Sequence, residues 1–331
     1  MEKQQLLFKW LALTAVAEWL IMRTATRAAI HMPKSPAFIT VYQGLNTVGQ
    51  VAATFVGLLA LVLLVDIAWH GRQQIWLSLS LVGLALLSVL FLVVVPPAWL
   101  ALLYQLLAVT AVLLICTRVL WGQRVSGGGK RGWQGTAVGL FPALALLAGL
   151  FVQLWPNLYA LLGWPGPPPL TRFLFNLGEL LVVVTVFIWW WCYGRTRSWI
   201  IWLLAAIPAL LFALSFWRDP AMTGILTIWS TGLTLFLPWP VYALALWLAG
   251  VTVLATCRTV PAIAYAILLL IAAGYTPQLS SQLFCAIIGL WLLARPEAVS
   301  PSPLPFPAAT FVHHRQPVDQ PLENKLLTDH Q

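Results

Sequence analysis

Acidic residues are nearly missing from this chain. No Asp or Glu stands between Asp66 and Glu179, and none between Asp219 and Glu297. Charged residues make up 8% of the 331 positions and hydrophobic ones 61%. A domain folded in water needs a coat of charges of both signs, because Lys, Glu, Arg and Asp are almost never fully buried unless paired. The missing coat excludes a soluble globular domain and makes lipid the solvent.

Other absences remove chemistries. The four cysteines, Cys116, Cys192, Cys257 and Cys285, stand singly with no CxxC pair, so no disulfide framework, zinc site or iron–sulfur site is legible. Only His31 and His70 lie near apolar runs, both at their ends, which disfavours a b-type haem held between helices. No lysine falls inside an apolar run (Lys9 borders the first), which excludes a retinal Schiff base. There is no Walker motif, GxSxG or HExxH. Nor is there a DxxxD or NDxxD cluster of the kind that metal-assisted prenyl or phospho-alcohol transfer uses. No catalytic residue, metal ligand or cofactor is assigned, and the sequence leans away from an enzyme. A net charge of +9 would suggest nucleic acid in a soluble protein. Here Lys and Arg collect at helix ends and connections, where they orient helices and meet anionic headgroups, so nucleic acid is not an expected partner and membrane lipids are.

What is present is a series of long Leu, Val, Ala, Ile and Trp runs, several exceeding the ~18 residues that mark a membrane-spanning helix. The expected fold is all-α, a polytopic integral membrane helical bundle with 10–11 transmembrane helices. Residues 1–36 form an N-terminal segment that is apolar from Trp10 to Met22 but interrupted by Glu18. Arg23, Arg27 and His31 follow at steps of four, on one helical stripe. This segment is expected to span, with an interfacial basic helix as the alternative.

The bundle proper is residues 37–294. Its expected spans are Asn46–Trp69, Ile75–Val95, Ala98–Cys116 after a Pro96–Pro97 hairpin, and Thr136–Trp155 after a polar loop from Thr117 to Trp133. Then follow Arg172–Tyr193, Ser198–Phe216, an eighth span running from beyond Asp219 to Leu237, and the shorter Val241–Cys257, Pro261–Gly274 and Gln278–Leu293. Residues 295–331, with prolines at 301, 303, 305 and 307, read as a Pro-rich disordered tail.

The Lys/Arg distribution gives an orientation. With an inside N-terminus, the cytosolic side of a cell membrane collects Lys3, Lys9, Arg72, Arg118, Arg124, Lys130, Arg131, Arg195 and Arg197. Arg23, Arg27, Lys34, Arg172, Arg218 and Arg258 fall opposite. Many of the 19 tryptophans sit where spans end and read as an interfacial belt, including the Trp189–Trp190–Trp191 run.

An internal echo joins two regions. Leu90–Phe91–Leu92 precede Pro96–Pro97 and a span ending Cys116–Thr117–Arg118; Leu235–Phe236–Leu237 precede Pro238–Trp239–Pro240 and a span ending Thr256–Cys257–Arg258. A true repeat here would make a 5+5 inverted repeat, the layout of many transporters. Length and that layout are similar to those of the ten-helix drug/metabolite exporters, a likeness that transfers no residue.

A charge inside a bilayer costs ~2.5–3.5 kcal/mol at a helix centre on insertion scales, so each one there is a functional candidate. Glu179 leads, deep in its span and flanked by Asn176 and Gly178; the bland alternative is an acid that pins two helices together. Glu18 is next, with a partner expected on another span. Gln43, Asn46 and Gln50 share one face of the second span, where such a stripe either lines an aqueous cavity or bonds neighbouring helices. Asp66 with His70 one turn on reads as a solvated helix end. The candidate intramembrane polar site is therefore Glu179, Glu18, Asn176, Gln43, Asn46 and Gln50. Three functions fit this reading. The leading one is a secondary-transporter-like protein for a small or amphipathic solute; the others are a non-catalytic scaffold or accessory subunit bound to a membrane-protein partner, and a lipid-modifying enzyme.

Overall fold

The computed structural model describes residues 2–31, 35–70, 74–125, 130–163, 168–215, 236–273 and 280–294. Among them are ten α-helices and no strand: α1 (Glu2–His31), α2 (Pro36–His70), α3 (Ile75–Val93), α4 (Ala98–Val125), α5 (Lys130–Leu162), α6 (Pro168–Tyr193), α7 (Trp199–Ser215), α8 (Trp239–Thr256), α9 (Pro261–Ala273) and α10 (Ser280–Leu293). The chain is a multi-pass apolar helical bundle. Helices α1, α2, α4, α5, α6 and α8 each contain a stretch long and apolar enough to cross a membrane, whereas α3, α7, α9 and α10 are shorter apolar helices.

Proline and glycine set the helix ends. Pro96–Pro97 stops α3, and the Pro97 carbonyl then accepts from the Leu100 and Ala101 N–H groups to open α4. Pro168 and Pro261 begin α6 and α9, where a missing N–H costs nothing. Where such breakers are missing, the helices outrun the expected spans. Helix α4 continues past Cys116 to Val125, and α5 begins at Lys130, so most of the expected loop from Thr117 to Trp133 is helical. Polar residues do not end a helix once it leaves the bilayer, and the first strong breaker in that loop is Ser126–Gly127–Gly128–Gly129. Even Pro156 does not end α5, which runs through it to Leu162 rather than ending at Trp155, and α2 begins at Pro36 rather than Asn46. The eighth expected span lies outside the described residues except for Phe236 and Leu237, as does the tail from 295 onward.

The helices pack largely in chain order: α1 on α2, α2 on α3, α3 on α4, α4 on α5, α5 on α6, α6 on α8 and α8 on α9. Helix α9 returns to α1 and closes the ring, while α7 packs on α8. Inside the ring lies α10, against α9, α2, α4 and α5. Its residues Leu283 to Ile288 and Leu290 to Leu293 are all buried. A helix that is apolar on every side has nowhere else to go. The last and shortest apolar segments of the sequence thus form the core. Close approach favours glycine there: a Cβ on Gly289 would sit 3.2 Å from the Ala266 carbonyl oxygen of α9, tighter than an ordinary van der Waals contact.

Two interior prolines of α5 have donors from neighbouring helices at or beside the carbonyl they deprive. Pro142 has no N–H to give the Val138 carbonyl one turn back. The indole N–H of Trp189 on α6 donates to that carbonyl at 3.1 Å, and Trp189 is 3% exposed. Trp189 is therefore a buried donor that does not face lipid, whereas Trp69, Trp99 and Trp239 are exposed at helix ends. Pro156 similarly deprives Val152, and the Gln105 side-chain amide of α4 donates to the adjacent Gln153 carbonyl at 3.0 Å. Trp189→Phe should cost ~1 kcal/mol, the scale of an orphaned buried acceptor in a membrane protein. In a Pro142→Ala background, where the substituted residue supplies its own backbone N–H, the same change should cost much less. Thermal unfolding of the four proteins in detergent measures both; equal costs in the two backgrounds would break the link.

Candidate functional site

Glu179 lies about fifteen ångströms from the start of the α6 span at Pro169 and about twenty from its end at Tyr193. It is 2% exposed. Its Oε2 accepts two hydrogen bonds, both from the entrance of α8: the Phe236 backbone N–H at 2.8 Å and the Tyr242 hydroxyl at 2.8 Å. Residues 236–238 precede the helix, so their N–H groups need acceptors that the helix cannot give. Pro238 and Pro240 have no N–H, which reduces that need. The carboxylate also faces the positive end of the α8 macrodipole. Both of these donors are neutral, so the acid secures a helix entrance.

At the other end of this pair, a Cβ on Gly194 would come within 2.7 Å of Thr252 Oγ1. Glu179 meets Phe236 and Gly194 meets Thr252, so α6 and α8 run in the same direction. This corrects the expected sidedness of Arg258. It follows the end of α8 and lies at the same end of the bundle as Arg195 and Arg197, which follow α6. Strict alternation of spans would have set them on opposite sides.

Of the other candidates only Asn176 stands near Glu179. Asn176 is half-buried one turn earlier on α6. Glu18 is 4% exposed on α1, which packs on α2 and α9, and Cys285 of α10 lies within electrostatic reach of it. Gln43 and Gln50 are exposed on α2 and Asn46 is half-buried, so the stripe turns outward. The backbone carbonyls of Gln43 and Gln50 accept from the hydroxyls of Thr47 and Thr54. Asp66 accepts from the Gln4 amide at 2.8 Å, tying the start of α1 to the end of α2. Among the described residues no three of His, Cys, Asp and Glu come together as a metal-binding group.

Sequence reasoning missed Tyr242 and the Phe236 N–H. The available signal was the Pro238–Trp239–Pro240 break, since a broken backbone in lipid demands an acceptor and acids are scarce here. The inverted repeat is not confirmed: α5 has 33 residues and its expected counterpart α9 has 13. No family model, curated protein or solved structure matches this chain.

Glu179→Leu would strand two donors and should cost about 1–3 kcal/mol. Glu179→Gln keeps a carbonyl acceptor and should cost less than half of that, with Tyr242→Phe between the two. Denaturant unfolding in mixed micelles tests the order; a Gln variant as damaged as the Leu variant would contradict the assignment.

Proposed function

We propose that the protein is a non-catalytic scaffold or accessory subunit of a membrane complex, with membrane lipids and a membrane-protein partner as its ligands. The observation that carries this reading is the use made of Glu179. The acid deepest in α6 gives both bonds of one oxygen to the entrance of α8, as a structural clasp would. The separation of Glu18, Gln43, Asn46 and Gln50, on α1 and α2, from Glu179 and Asn176 on α6 supports it, because a solute site needs convergent polar groups. We infer the cell membrane with a cytosolic N-terminus. Moving Arg258 to the side of Arg195 and Arg197 strengthens the Lys/Arg bias that favours this orientation.

A second reading, a secondary transporter for a small or amphipathic solute, is favoured by one specific feature. Non-helical backbone at Phe236–Pro238 meets an acid midway along α6, and transporters place their sites at such helix breaks near mid-membrane.

Thiol accessibility separates the two. Glu179→Cys and Asn176→Cys, each in a Cys257→Ser background that removes the exposed native thiol, are reconstituted in vesicles and treated with a membrane-impermeant methanethiosulfonate from either side. The scaffold reading expects neither cysteine to react beyond the background protein. Labelling of both positions from one or both faces would mean a water-filled path to Glu179 and would put the transporter reading first.

A further inference from the structure

Three arginines collect at one end of the bundle. Arg195 and Arg197 follow α6, Arg258 follows α8, and all three are exposed. The two segments meet there, since a Cβ on Gly194 would come within 2.7 Å of Thr252 Oγ1, six residues before Arg258. Among the described residues of α6 to α9 and their connections, Glu179 is the one acid. It lies about twenty ångströms back along α6 and takes its bonds from the entrance of α8. Helix α7 opens directly after Ser198 with no acid in its first turn, which adds the positive end of a helix dipole. The positive charge at this end has no counterpart on the helices that carry it.

We infer that this end binds the phosphate of an anionic phospholipid, with Arg195 as its principal ligand. The Arg195 guanidinium lies 3.9 Å from the centroid of the Trp191 ring. Stacking holds the flat group by its face and leaves its rim of N–H donors to an anion, in the fork that matches phosphate. Position selects a lipid over a soluble phosphate. Leu180, Phe187 and Trp191 fall at steps of seven and four on one exposed stripe of α6, and the stripe ends at Arg195 over the Trp191 ring. An acyl chain lying along those three side chains brings its own headgroup to the guanidinium. Exposed Trp191 and Trp199, on either side of the 194–198 segment, mark headgroup depth. The site rests on the reading of membrane lipids as ligands and adds to it the class of lipid and the place.

The test is native mass spectrometry of the full chain released from a mild detergent after equilibration with equal amounts of phosphatidylglycerol and phosphatidylcholine of one chain length. Wild type should retain phosphatidylglycerol in preference. Arg195→Gln and Arg258→Gln should each lower that retention about fivefold, the weight of one basic residue at an anionic surface, and leave phosphatidylcholine unchanged. Arg172→Gln, at the opposite end of α6, should change neither. Matched unfolding temperatures establish that the variants fold, and Arg258→Gln stands alone if Arg195→Gln does not. Unchanged retention in both arginine variants would overturn the site, as would an equal loss in Arg172→Gln, the mark of attraction by net charge alone. Displacement of phosphatidylglycerol by millimolar inorganic phosphate would overturn the choice of a lipid. Equal retention of the two lipids by wild type would overturn the proposal and leave lipid as a ligand; retention of neither would overturn both.

Discussion

In lipid, a backbone N–H or C=O that loses its helical partner has no water to turn to. At three breaks in the bundle a side chain from a neighbouring helix meets that demand or lies beside it. Trp189 answers for Pro142, Gln105 donates beside the gap left by Pro156, and Glu179 takes the Phe236 N–H at the entrance of α8. Each donor or acceptor comes from a different helix than the one it serves. Three of the helix contacts, α5 with α6, α4 with α5 and α6 with α8, are thereby given a register that apolar packing alone would leave loose. The apolar faces supply the area of contact, while the few polar side chains say which turn meets which.

This economy explains how the bundle is organised around its shortest members. The ring of helices in chain order needs only short connections, and its closure by α9 against α1 leaves a channel that must be filled. Helix α10 fills it because it is apolar on all sides and carries Gly289 where α9 comes closest. The longer helices cannot play that part. They carry charged or polar residues at their ends, and α2, at 35 residues or about 50 Å, exceeds the ~30 Å hydrocarbon layer.

The same constraint bears on function. In a chain with so few acids, the buried ones are the natural candidates for chemistry. Glu179 accepts from two neutral donors at the entrance of α8, and Gln43 and Gln50 of the α2 stripe are exposed. That division is what the proposed scaffold reading expects.

Membrane residence, helical class, the Pro96–Pro97 break and the need of Glu179 for a partner were legible in the sequence, because each follows from local composition. A run of twenty apolar residues has one solvent, a double proline marks a helix boundary, and a lone acid in such a run needs a partner. The partner itself was not legible. Tyr242 and the Phe236 N–H are 63 and 57 positions from Glu179 and meet it only because α6 and α8 run side by side in one direction. The inward turn of Trp189, the central place of α10 and the shared end of Arg195 and Arg258 were decided in the same way. Hydropathy is a property of a segment and can be read along the chain; direction, register and neighbour are properties of pairs of segments, and they exist only once the helices have packed.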